Sequence, residues 1–123
     1  MKQLTGYKVV RCFENGAEKI YESWLQWEEA KESTVQYKID KWVKPREGCG
    51  DLMVCTDLRE AKELLCGANQ KIFRCFYERS KERMVGFKDK PKFHVDEDND
   101  GLYDGFDCAL RVMITEEVTD EGI

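Results

Sequence analysis

The residues whose spacing most clearly suggests chemistry form an acidic segment, 96–107, near the end of the 123-residue chain. Carboxylates stand at positions 1, 3, 5, 9 and 12 of these twelve residues, and a glycine stands at position 6. Calcium-binding loops use this spacing to surround the ion with oxygen ligands. The predicted ligands are Asp96, Asp98, Asp100, Asp104, Asp107 and the carbonyl oxygen of Leu102.

Two interpretations of the acidic segment remain open. The spacing resembles the loops of EF-hand, dockerin and thrombospondin type 3 repeats, and a cation would neutralise five mutually repelling carboxylates. Calcium would then be a structural ion, and no other cofactor is expected. However, no helical pattern precedes the segment and a strand is predicted after it, so the alternative is a solvated acidic loop that binds no metal.

Charge and hydropathy exclude several classes of function. The acidic segment accounts for the net charge of −5, because the other 19 of the 25 acidic residues nearly balance the 20 lysines and arginines. A chain with a pI near 5.0 and no basic block is a poor candidate for binding duplex nucleic acid. No apolar run approaches the roughly 18 residues that a membrane span needs, and no apolar signal segment opens the chain. We therefore expect a cytoplasmic protein without a membrane partner.

Catalytic patterns are scarce. His94 is the only histidine, and no nucleophile motif accompanies it. The six cysteines include no C-x-x-C pair, so we expect reduced thiols that act as small apolar groups. The glycines of Gly48-Cys49-Gly50 precede a strand rather than follow one, which favours a tight bend over a phosphate-binding loop.

A binding site is suggested instead by aromatic and basic residues on predicted strands. A sheet face that combines rings with positive charge would suit a base and its phosphates. The candidate ligand-binding residues are Arg11, Lys38, Trp42, Lys44 and Arg111. The alternative is that the rings belong to the core and that the basic residues are ordinary solvent-facing positions.

The periodicity predicts one α+β domain over residues 1–123, a mainly antiparallel sheet of about seven strands with one principal helix at 57–66. The predicted strands span 7–13, 17–25, 35–45, 52–55, 72–77, 84–87 and 108–114. An Asn15-Gly16 step predicts a hairpin turn after the first strand. The strand at 84–87 is expected to pair with that at 72–77, and Asp57 and Glu60 have the spacing of a capping box at the start of the helix.

The order of these motifs resembles a family of small phage-encoded α+β proteins, the Thoeris anti-defence sponges of the first type. Four segments carry the resemblance: Y-K-V-V-R at 7–11, Y-K-I-D-K-W-V-K-P at 37–45, G-D-L-M-V-C leading into L-R-E-A at 50–61, and I-F-R-C-F-Y at 72–77. Residues 108–118 resemble the closing strand, and the acidic segment lies outside the pattern. The resemblance implies a homo-oligomer without catalytic residues, in the cytoplasm of an infected bacterial cell, that sequesters a cyclic ADP-ribose-type signal and in some members cyclic oligonucleotides.

Two other functions stay open at the level of the sequence. The chain could be an interaction or inhibitor module that presents its acidic segment to a basic partner. It could also be a small enzyme that acts on an ADP-ribose-type substrate, although a single histidine and the lack of a paired acid–base motif disfavour this.

Overall fold

A computed structural model describes residues 3–23, 34–47, 49–65, 69–81, 84–85, 93–94 and 106–118. These residues form strands β1 (Gln3–Asn15), β2 (Glu18–Ser23), β3 (Gln36–Tyr37), β4 (Trp42–Val43), β5 (Leu52–Cys55), β6 (Gln70–Arg79), β7 (Met84–Val85), β8 (Phe93–His94) and β9 (Phe106–Glu117), and helix α1 (Leu58–Glu63). Seven strands make one antiparallel sheet, and β7 pairs with β8 in a second. The predicted α+β class, with about seven strands and one helix, is confirmed.

The large sheet closes on itself. Strands β5 and β6 each pair with both β1 and β9, so β1, β6, β9 and β5 form a ring. Tyr7 lies at the closure, because it pairs with Arg74 of β6 on one edge of β1 and with Cys55 of β5 on the other. Strands β2 and β3 extend the sheet from β1, and β4 extends it from β9.

Two cores lie on opposite faces of the ring strands. Consecutive apolar pairs, Val9-Val10 on β1 and Ile72-Phe73 on β6, send one side chain to each face because successive residues of a strand alternate. The first core holds Val10, Val35, Tyr37, Leu52, Val54, Phe73, Cys75, Tyr77, Ala109, Val112 and Ile114. The second holds Val9, Cys55, Ala61, Ile72 and Val118.

Helix α1 covers the second core. Ala61 is fully buried, and Leu58 and Leu65 pack against the same core. The helix is shorter than predicted, at Leu58–Glu63, and Asp57 caps it by accepting a hydrogen bond from the backbone N–H of Arg59 at 2.8 Å. The capping-box spacing had predicted the N–H three residues after Asp57.

The single strand predicted over 35–45 is wrong in its continuity. Only Gln36–Tyr37 and Trp42–Val43 are strands, and they pair with different neighbours, β2 and β9. Asp40 separates them with a φ of 64°, a left-handed conformation that aspartate tolerates better than most residues. Its N–H donates to the carbonyl of Ile114 at 2.8 Å, which ties the turn to β9.

Two further predictions need correction. The strand predicted at 84–87 does not pair with 72–77, because Met84–Val85 pairs with Phe93–His94 while both edges of β6 are occupied by β1 and β9. The first hairpin turn lies one residue later than predicted: Asn15 pairs with Glu18, which leaves Gly16, with a φ of 68°, as the first turn residue. The strand predicted over 17–25 is observed as β2, Glu18–Ser23. Residues 24–33 lie outside the described part of the chain.

Candidate ligand-binding face

One sheet surface carries aromatic and basic side chains together, on the side of β1, β6, β9 and β4 that faces away from the first core. The strand registers align Thr5 with Phe76, Phe76 with Met113, and Met113 with Trp42. These residues form a row across four strands, in which the side chains of Phe76, Met113 and Trp42 are half-buried. We call this surface the outer face.

A second row, which carries charged side chains, lies beside the first row, which we call the aromatic row. Arg111 pairs with Glu78 across β9 and β6, and the register of β4 with β9, continued by one residue, brings Lys44 opposite Arg111 on the other side. The Arg111 guanidinium donates to Oε1 of Glu78 through its terminal nitrogen. This hydrogen bond lowers the pKa of Glu78, and the positive charges of Arg111 and Lys44 lower it further.

Arg111 is also stacked on an aromatic ring. Its guanidinium carbon lies 4.2 Å from the centroid of the Trp42 ring, a distance at which the cation is attracted to the ring face. The two residues are diagonal neighbours on adjacent strands, which is why a long side chain can reach across. The contact and the Glu78 ion pair hold the guanidinium in place while 35% of the Arg111 side chain stays exposed.

The outer face continues into a groove of about 400 Å³. The groove is lined by Thr5, Gly6, Tyr7, Thr56, Arg74, Cys75, Phe76, Thr115 and Glu116. Arg74 and Glu116 form an exposed ion pair at 3.2 Å across it. Because Thr5 and Phe76 belong to both features, the groove and the aromatic row form one continuous surface.

Gly6 allows the backbone to approach closely at the base of this groove. A Cβ atom at this position would lie 2.8 Å from the carbonyl oxygen of Cys55 and 3.2 Å from the ring of Tyr77. The first distance is too short for a carbon–oxygen contact, so β1 and β5 can meet here only because the residue lacks a side chain.

The structure brings together three of the five predicted ligand-binding residues. Trp42, Lys44 and Arg111 lie on the outer face. Lys38 is exposed in the turn after β3, where its carbonyl accepts from Lys41. Arg11 lies four residues beyond Tyr7 on β1, about 13 Å along the strand, where it faces Glu22 at 3.9 Å.

Sequence reasoning missed four residues of the outer face: Thr5, Phe76, Glu78 and Met113. Alternation in β6 placed residues 74, 76 and 78 on one face, and that signal was available in the sequence. The register of β6 with β9 was not. The alternative interpretation, that the aromatic rings belong to the core, is correct for Tyr37, which lies in the first core and is 2% exposed.

The described part of the acidic segment shows how its last carboxylate is used. Asp107 is buried, and its Oδ2 accepts from the hydroxyl of Tyr77 at 2.8 Å. Its Oδ1 accepts from Nε of Arg79 at 3.2 Å and from the N–H of Cys108 at 2.9 Å. A calcium ion at this position would have to share these oxygens. The other predicted ligands, Asp96, Asp98, Asp100, Leu102 and Asp104, lie outside the described residues, so the calcium site stays a prediction.

A few titratable groups lie buried inside the fold, away from the outer face. Burial raises the pKa of Cys55 to about 11 and that of Cys75 to about 12, so both thiols stay protonated near neutral pH. Lys8 is buried with its ammonium donating to the carbonyl of Met53 at 2.6 Å and lying 5.6 Å from the Tyr37 ring centroid. Burial lowers the pKa of Lys8. The predicted free thiols are found at Cys12, Cys55 and Cys75.

Comparisons with known proteins do not indicate a function for this chain. No protein-family model, curated protein or solved structure matches the chain. Within the described residues, no helix has the length and apolar character needed to cross a bilayer.

Proposed function

We propose that this protein is a non-catalytic binding protein that captures a nucleotide-derived signal on its outer face. The observation that carries the proposal is the Arg111 guanidinium held 4.2 Å from the Trp42 ring centroid and tethered by Glu78. A held guanidinium and half-buried aromatic rings offer stacking positions for a base, and Lys44 adds positive charge for a phosphate.

The ligand class follows from the chemistry of the face and from the resemblance to the anti-defence sponges. Cyclic ADP-ribose-type molecules and cyclic oligonucleotides combine bases with two or more phosphates, which matches the mixture of rings and cations. In this proposal the protein works by holding its ligand, so that the signal never reaches a host immune effector.

The affinity that sequestration needs points to a homo-oligomer. A nanomolar complex requires about −12 kcal/mol. Stacking of a base contributes about 1–3 kcal/mol, and an exposed ion pair contributes less than about 1 kcal/mol. An open face on one chain therefore falls short, and a second copy that encloses the ligand would supply the missing contacts. Light scattering after size-exclusion chromatography measures this state directly.

The experiment that tests the proposal combines ligand release and thermal shift. The purified protein is heated and the released small molecules are identified by mass spectrometry. Cyclic ADP-ribose isomers and cyclic di- and trinucleotides are then added to the empty protein, and the melting temperature is recorded. We expect at least one of them to raise it, and to be recovered unchanged by chromatography after incubation.

A matched pair of variants places the site. Trp42→Ala should abolish the thermal shift, whereas Phe13→Ala, which removes an aromatic ring that is 39% exposed beyond the end of the β1–β6 pairing, should leave it intact. No shift with any of these ligands, or their conversion to a product, would end the proposal.

A further inference from the structure

We propose that Arg111 contacts the ligand through the flat face of its guanidinium, as a stacking platform for a planar ring, and that Lys44 is the residue that contacts a phosphate. This inference rests on the proposed function and assigns a separate ligand contact to each of the two cations of the outer face. It names the minimal ligand as a planar heteroaromatic ring that carries a phosphate.

The contacts of Arg111 carry the first half of the inference. The guanidinium carbon lies over the Trp42 ring, 4.2 Å from its centroid, and a terminal nitrogen already donates to Glu78. A phosphate approaching that nitrogen would have to compete with the Glu78 carboxylate, and one approaching any other donor of the guanidinium would still be repelled by that nearby negative charge. The face opposite Trp42 needs no such exchange, and a third of the side chain remains exposed. A planar ring laid there completes a stack of Trp42, Arg111 and ligand, a geometry suited to the weakly hydrated and planar guanidinium.

The position of Lys44 carries the second half. Continued by one residue beyond β4, the register with β9 places Lys44 on the side of Arg111 opposite Glu78. Its side chain is exposed, and within the described residues it forms no ion pair within 4 Å. A compact and exposed ammonium can bind a phosphate as a point charge. The ring and the phosphate of the ligand therefore lie over neighbouring residues of one charged row.

Three probes separate the two contacts: adenosine, AMP and ribose 5-phosphate, titrated against the full chain by NMR up to millimolar concentration. We expect adenosine and AMP to bind and ribose 5-phosphate to bind much more weakly. Lys44→Gln should weaken AMP by about tenfold, or about 1.4 kcal/mol, leave adenosine unchanged, and remove most of the salt dependence of AMP binding.

Substitutions at Arg111 and Glu78 test the stacking contact, because stacking on Arg111 and phosphate binding by Arg111 predict different changes in the affinity for AMP. Arg111→Lys keeps the charge but removes the planar group, and it should weaken adenosine and AMP equally, by about tenfold. Glu78→Gln is made in the Lys44→Gln background, because removing the Glu78 charge would also strengthen the attraction of Lys44 for a phosphate. In that background it should leave AMP binding unchanged or weaker, because the guanidinium loses its tether. If Arg111 held the phosphate, Glu78→Gln would instead tighten AMP binding by removing the competing carboxylate. Melting temperatures of the variants report whether each one is folded.

Three results would overturn the inference: AMP binding that survives Arg111→Lys, AMP binding that Glu78→Gln tightens in the Lys44→Gln background, or ribose 5-phosphate binding as well as AMP while adenosine does not bind. Each of these leaves the proposed function in place, because the cyclic ligands can still raise the melting temperature. Failure of every cyclic ligand to do so removes the proposed function independently of these variants.

Discussion

Replacing Tyr77 by phenylalanine should destabilise the protein through a single buried hydrogen bond. The Tyr77 side chain is 2% exposed, and its hydroxyl donates to Oδ2 of Asp107 at 2.8 Å. Asp107 is buried as well, so water cannot easily replace the lost donor. A hydrogen bond to a charged group contributes about 1.5–3 kcal/mol, and the ring itself is kept, so no large cavity adds to the cost.

Urea denaturation at neutral pH measures this cost. The free energy of unfolding should fall by about 1.5–3 kcal/mol with an unchanged slope in urea, because the surface exposed on unfolding stays the same. For a chain of this size, each kcal/mol of lost stability lowers the melting temperature by about 4 °C, so we expect a decrease of about 6–12 °C.

Tyr21→Phe is the matched control. Its ring packs edge-on against Phe73, with the centroids 4.9 Å apart, and within the described residues its hydroxyl donates no hydrogen bond. We expect this variant to change the free energy of unfolding by less than about 0.5 kcal/mol. The reasoning is refuted if Tyr77→Phe costs no more than Tyr21→Phe, since the Asp107 contact would then contribute nothing measurable.

Three further changes test the fold. Gly6→Ala should cost about 1–3 kcal/mol of unfolding free energy by urea denaturation, because the new methyl group would meet the Cys55 carbonyl at 2.8 Å; a neutral result would contradict the close approach of β1 and β5. Asp57→Ala should cost about 1 kcal/mol by removing the cap on Arg59, whereas Asp57→Asn should restore most of it. Because burial lowers the pKa of Lys8 from 10.5, the unfolded chain binds more protons than the folded one between the lowered value and 10.5. The stability of the natural protein relative to Lys8→Met should therefore rise as the pH rises through that window, and a constant difference between the two would contradict a buried ammonium.

The outer face illustrates which part of a site can be predicted before the structure. Trp42, Lys44 and Arg111 stood out because rings and cations on strands suit a nucleotide, and they do lie together. Arg11 and Lys38 met the same criterion and lie elsewhere, because residue type does not encode which strand edges meet. The tether on Arg111 comes from Glu78, a residue 33 positions away that only the register of β6 with β9 places beside it.

The sequence by itself determined the α+β class, the apolar strand segments, the capping of the helix by Asp57 and the concentration of negative charge in one segment, because alternation, capping and charge are local properties of the chain. Only the tertiary structure decided that β5 and β6 close a ring with β1 and β9, and that the segment predicted as one strand at 35–45 divides between two neighbours. Those outcomes depend on hydrogen-bond partners distant in the chain and on one left-handed residue, Asp40. The use of Asp107 inside the fold has the same origin: its donors, Tyr77 and Arg79, reach it only after β6 and β9 have paired.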